Sequence, residues 1–129
     1  MTFLKKILLV DYEPRVTAVV RKALEDTGNY LIKEERDSRH TLNAARWFQP
    51  DVILLNVPMS HPDGALVAKQ LRTDRAFQDT PLVFLTLDTS VEGGIASDGI
   101  VAGYSFSATT VPLDELVRYV AELLNSAPY

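Results

Sequence analysis

The side chains equipped for chemistry in this sequence fall at the ends of short apolar runs. Ile7-Leu8-Leu9-Val10 runs into Asp11, with Tyr12, Glu13 and Pro14 behind it. Val52-Ile53-Leu54-Leu55 runs into Asn56, with Pro58 close behind, and residues 81–85 run into Thr86. A carboxylate in such a place can hold a hard cation, whereas an amide offers a weaker oxygen to a metal. There are no cysteines, which excludes disulfides, thiolate metal sites and a cysteine nucleophile. Of the two histidines, His61 lies in the loop after Asn56 and is expected to be solvated; His40 reads as a surface residue.

The elements that would position these residues alternate regularly. Each apolar run is β-prone and too short for a helix, and between the runs lie amphipathic stretches. Pro14 suits a first helical turn, Val16, Val19, Val20, Ala23 and Leu24 mark one helical face, and Gly28 suits the helix end. Residues 30–35 read as a more polar strand, at an edge. Ser38 is placed to cap a helix carrying Leu42, Ala45 and Phe48, which Pro50 closes. Asp63-Gly64 opens a further helix, and Pro112 with Asp114 and Glu115 opens the last one, where acids suit the positive helix end. Four of the six glycines lie between 93 and 103. A helix there would lose roughly 1 kcal/mol per interior glycine, so that element is expected to be short, irregular or mobile. A fifth strand is expected near residues 101–107.

Strands buried on both faces and alternating with helices imply a parallel sheet covered on both sides. The expected fold is α/β, a flavodoxin-like doubly wound (βα)5 unit with five parallel strands in the order 2-1-3-4-5. Its site lies beyond the carboxyl ends of the strands, at the switch point between strands 1 and 3, which is where Asp11 and Asn56 fall.

At 129 residues the chain fits one domain, read as 1–129 with a core of about 4–125. Apolar residues make up 47%, enough for a core without staples. The net charge of −4 gives no electrostatic footprint for nucleic acid. No apolar run approaches the roughly 20 residues that span a bilayer, and the run before Asp11 is too short for a signal-peptide core. The expectation is a cytoplasmic domain without membrane or nucleic-acid contact of its own.

The blocks form a recognisable pattern. The stretch from Ile7 to Pro14 resembles the opening of a response regulator receiver domain, hydrophobics followed by Asp-Asp-x-Pro. The stretch from Asp51 to Gly64 resembles the family's second block, with the acceptor position at Asn56 and its Asp-Gly at Asp63-Gly64. Thr80-Pro81-Leu82-Val83-Phe84-Leu85-Thr86 resembles the fourth strand with its switch threonine. The resemblance implies a pocket formed by Asp11, Tyr12, Glu13, Asn56, Pro58, Thr86 and Thr109, and a switch face that includes Thr86 and Phe106. In the family an aspartate takes a phosphoryl group, acids after strand 1 help hold Mg²⁺, and a lysine after strand 5 contacts the phosphoryl oxygens.

This chain departs from that chemistry. The acceptor position holds Asn56, whose amide oxygen is a poor nucleophile and forms no stable acyl phosphate. Tyr12 stands where the family has a second acid and is read as a plug that buries its ring. Aligning Phe106 with the switch aromatic puts Thr109 at the lysine position, and no lysine follows Lys69. Asp11 is expected to accept loop N–H groups, and Asp11 and Glu13 are weak cation candidates only. No cofactor is expected, Mg²⁺ binding is doubtful, and no catalytic residue is assigned.

The resemblance with these losses points to a degenerate, or pseudo-receiver, domain. It would be a signalling module, not an enzyme, that binds a partner protein or a second copy independently of phosphorylation. Its face would be the one the family commonly uses, made by the fourth helix, fifth strand and last helix. A second reading keeps a switch at Thr86 and Phe106 but triggers it by a ligand or cation. A third, a flavodoxin-like cofactor binder, suffers from the acidic Asp11-Tyr12-Glu13-Pro14 turn, which repels phosphate and lacks one N–H.

Overall fold

The computed structural model describes residues 4–11, 14–56, 62–85, 97–101, 104–109 and 113–125. Along the chain run β1 (Lys5–Asp11), α1 (Pro14–Glu25), β2 (Tyr30–Glu35), α2 (Thr41–Phe48), β3 (Val52–Asn56), α3 (Pro62–Thr73), β4 (Leu82–Leu85), β5 (Ser97–Val101), β6 (Tyr104–Thr109) and α4 (Leu113–Asn125).

The strands form one sheet in the order β2-β1-β3-β4-β6-β5. The first four lie in the expected 2-1-3-4 order, and each neighbouring pair is parallel. The far end departs from the expected all-parallel, five-stranded sheet. β6 pairs parallel with β4 close to where the fifth strand was expected, and β5 adds a sixth strand, antiparallel to β6. The described part of the glycine-rich stretch is therefore strand rather than helix. Gly99 is costly inside a helix, whereas Ile100 and Val101 favour a pleated strand. An antiparallel partner also needs only a short connection, here residues 102–103, and no helical crossover. Residues 86–96, where the rest of a fourth helix was expected, lie outside the described residues.

Period-two alternation sends each central strand to two cores. Leu8, Val10, Ile53, Leu55 and Phe84 pack with Ala45 and Phe48 of α2 and with Val67 and Leu71 of α3. Ile7, Leu9, Val52, Leu54, Val83 and Leu85 pack with Val20 and Leu24 of α1 and Leu116, Val120 and Leu124 of α4. Residues 7–10 of β1 are fully buried, as a central strand covered on both faces requires. Each such aliphatic side chain contributes about 1.5–3 kcal/mol of transfer free energy.

The helix ends follow local chemistry. Gly28, at φ 73°, closes the turn after α1, and its N–H donates to the Glu25 carbonyl at 2.9 Å. Before α2 the cap is Asp37 rather than Ser38. Asp37 accepts the Arg39 backbone N–H at 3.0 Å and opens a 3-10 turn, Ser38–His40. That turn feeds into α2 and leaves Ser38 buried inside it. Gln49 ends α2 at φ 56°, ahead of Pro50. The loop from α3 to β4 is pinned by Arg72, whose guanidinium donates to the carbonyls of Phe77 and Thr80, each at 2.9 Å.

Candidate functional site

β1 and β3 are neighbours, and the last residue of each, Asp11 and Asn56, are register partners. Parallel neighbours lie about 4.8 Å apart, so the two side chains start from adjacent backbone positions at the carboxyl end of the sheet. Alternation from Ile7 and Leu9, and from Val52 and Leu54, puts both on the face that packs against α1 and α4. This is the switch point, because the chain leaves β1 for β2 on one side and β3 for β4 on the other.

Asp11 is only 3% exposed, and neither of its carboxylate oxygens has a hydrogen-bond partner among the described residues. The loop N–H groups expected to serve it belong to the stretch that begins at residue 12. Residues 12 and 13, the first of that loop, lie outside the described residues. Asn56 is half-buried. Thr109 ends β6 and pairs with Leu85, which places it at the same sheet end with β4 between it and Asn56. Phe106 lies within β6, opposite Gly99 of β5. Tyr12, Glu13, Pro58, His61 and Thr86 lie outside the described residues, Thr86 by one position beyond Leu85.

Mg²⁺ is the cation that receiver domains typically bind at this place. A hard dication wants several oxygens with enough negative charge among them. Here one anion, Asp11, stands beside a neutral amide, and no group of three acidic, histidine or cysteine side chains able to hold a metal occurs among the described residues. The described donor set does not fit Mg²⁺. Among the described residues the pair offers one carboxylate and one neutral amide.

Two surface features were only partly visible in the sequence. Trp47 is 77% exposed, with the Lys33 ammonium 5.0 Å from its ring centroid. His40 is a surface residue as expected, with Nδ1 3.9 Å from a Glu35 oxygen. The Lys33–Trp47 contact joins β2 to α2, and only the helical phase of Trp47 beside Phe48 hinted that it would face outward.

With this geometry in place, the family is settled by comparison. The sequence profile of the "Response regulator receiver domain" matches residues 7–103, and the chain belongs to that family of two-component signalling domains. It is 31% identical over 123 residues to Response regulator Rre1 of Synechocystis, an alignment covering 92% of this chain and 51% of that protein. It is 32% identical over 126 residues to Transcriptional regulatory protein TcrA of Mycobacterium tuberculosis, covering 95% and 47%. The chain thus spans about half the length of the curated relatives it matches. Among solved structures it resembles the N-terminal domain of a response regulator receiver protein from Methanoculleus marisnigri. That match has 31% identity and a TM-score of 0.59, covering 67% of this chain and 69% of the other. The signal receiver domain of a histidine kinase from Syntrophus aciditrophicus, at 22% identity, shares the fold with a TM-score of 0.71 over 95% of this chain and 92% of its own. Among the described residues no helix is long and apolar enough to cross a membrane.

Proposed function

We propose that this chain is a pseudo-receiver domain, a cytoplasmic protein-interaction module of signal transduction that works without being phosphorylated. The observation that carries this reading is the pairing of Asn56 with Asp11 at the switch point, where the family's chemistry needs an acceptor carboxylate beside further acids. The absence of lysine after Lys69 supports it, because a phosphoryl group would lack its ammonium partner. The binding face is assigned to β5, β6 and α4 with Phe106, the place where the family's fourth helix, fifth strand and last helix commonly dock. Its occupant is a partner protein or a second copy, with residues 1–129 acting as one domain. The relatives named as transcriptional regulators are about twice as long, and any DNA contact in such a protein is assigned to other sequence, since this domain carries net charge −4.

One observation favours a second reading, a switch triggered by a ligand or cation. The Asp11 carboxylate is buried and has no hydrogen-bond partner among the described residues. An amide-resolved NMR titration with Mg²⁺, then Mg²⁺ plus beryllofluoride, separates the two. Silence at Asp11, Asn56, Thr86 and Phe106 is expected. A saturable, concerted shift of those residues would replace the pseudo-receiver reading with the triggered switch.

A further inference from the structure

The sheet has a second edge, on the side opposite β5. β2 is the terminal strand there, and no described strand pairs with its outer side. In a parallel strand alternate residues point their N–H and C=O groups to each side, so half of the β2 backbone is offered outward. Beside this edge lie apolar anchors: Trp47, 77% exposed, and Leu31, 48% exposed. A cleft of about 610 Å³ crosses the edge from Arg21 on α1 to Trp47 and Phe48 on α2.

The charges along the edge are not equivalent. Glu34 is engaged by Arg21 at 3.5 Å, and Glu35 accepts the Asp37 N–H at 3.3 Å and lies near His40. Lys33 rests on the Trp47 ring instead of on a carboxylate, and Arg36 is exposed; neither is ion-paired among the described residues. Among the described residues the carboxylates of this edge are engaged, and Lys33 and Arg36 are left over.

We propose that the β2 edge is a second docking surface, which takes an extended acidic segment of a partner protein as an added strand with an apolar residue on Trp47. The free backbone groups recognise an extended chain, Trp47 and Leu31 supply the anchor, and Lys33 with Arg36 select acidic side chains. A second copy of this chain is a poorer occupant, because antiparallel pairing of two β2 strands would bring the same uncommitted cations together. This surface lies one strand over from Asp11, since Glu35 pairs with Val10, but it uses neither Asp11 nor Asn56, and the inference stands apart from the pseudo-receiver reading.

Trp47 is the single tryptophan, so its emission reports on the proposed surface directly. The full chain is titrated with two capped peptides, one repeating Val-Ser-Glu-Ser and one repeating Val-Ser-Lys-Ser, so that valine and the charged residue share one face of an added strand. The glutamate peptide is expected to shift the Trp47 emission saturably, at least tenfold tighter than the lysine peptide, and to protect β2 amides from hydrogen exchange. The K33E/R36E double variant, checked for folding by circular dichroism, is expected to reverse the preference. Equal affinity for both peptides, or no saturable change with either, overturns the proposal. A concentration-dependent dimer in sedimentation that protects the same β2 amides overturns it in favour of a second copy.

Discussion

Replacing Asp11 by asparagine should make the protein more stable. The side chain is 3% exposed, and neither oxygen has a described partner. An unpaired buried ion carries an effective penalty of several kcal/mol, against about 1–3 kcal/mol for an unpaired neutral amide. The isosteric swap removes the difference, so Asp11→Asn is expected to gain roughly 1–3 kcal/mol. For a chain of this size that is about 4 °C in Tm for each kcal/mol. The assay is thermal and urea unfolding followed by far-UV circular dichroism at neutral pH, with a chelator present so that only the protein's own groups act. The converse variant sharpens it. Asn56→Asp puts a second carboxylate on the neighbouring strand, and at about 4.8 Å with an effective dielectric near 20 the repulsion reaches ~3 kcal/mol. Asn56→Asp should therefore destabilise, and the double variant Asp11→Asn/Asn56→Asp should recover most of that loss. An Asp11→Asn protein that melts at or below the parent temperature would refute the reasoning, since the carboxylate would then have a stabilising partner.

Three further outcomes follow from the packing. Arg72→Met removes a half-buried guanidinium that donates to two loop carbonyls at 2.9 Å, and should cost about 2 kcal/mol in urea unfolding with faster amide exchange over 74–80. Gln49→Gly relieves a left-handed residue at φ 56° and should stabilise by about 0.5 kcal/mol, less than the full left-handed penalty because the Gln49 side chain also bonds the Arg46 carbonyl. The Arg39 side chain and backbone N–H hold Asp37 below its ordinary 3.8, at about 2. Its folded value is depressed, so its contribution is present above about 3.8 and is lost as pH falls toward 2. A carbon-detected NMR titration of Asp37 should show this, with Arg39→Ala moving the midpoint back up.

The parallel end of the fold was legible because its signals are local. Residues 30–35 read as an edge strand and form β2 at the edge, and the apolar run ending at Asn56 is β3. Alternation and strand order together were enough to bring Asp11 beside Asn56. The other end was less legible. A short glycine-containing segment such as 97–101 has no strong period, and its antiparallel pairing with β6 is decided by the partner strand rather than by its own residues. That Asp11 finds no hydrogen-bond partner among the described residues was also hidden, because such bonds depend on the placement of chain segments distant in sequence. Likewise, Lys33 and Trp47 meet across two elements, and no spacing in the sequence encodes that contact.

The placement of Trp47 bears on how this protein should be watched as it unfolds. An indole that is 77% exposed in the native state changes its surroundings little when the chain opens. What change it does show will come largely from release of Lys33. Its emission is then a local reporter whose transition need not coincide with loss of secondary structure. Two midpoints that disagree would ordinarily argue for a populated intermediate. Here they would reflect one probe sitting outside the cooperative core, and a tryptophan introduced at Phe84, which is fully buried, would be the better witness of global unfolding.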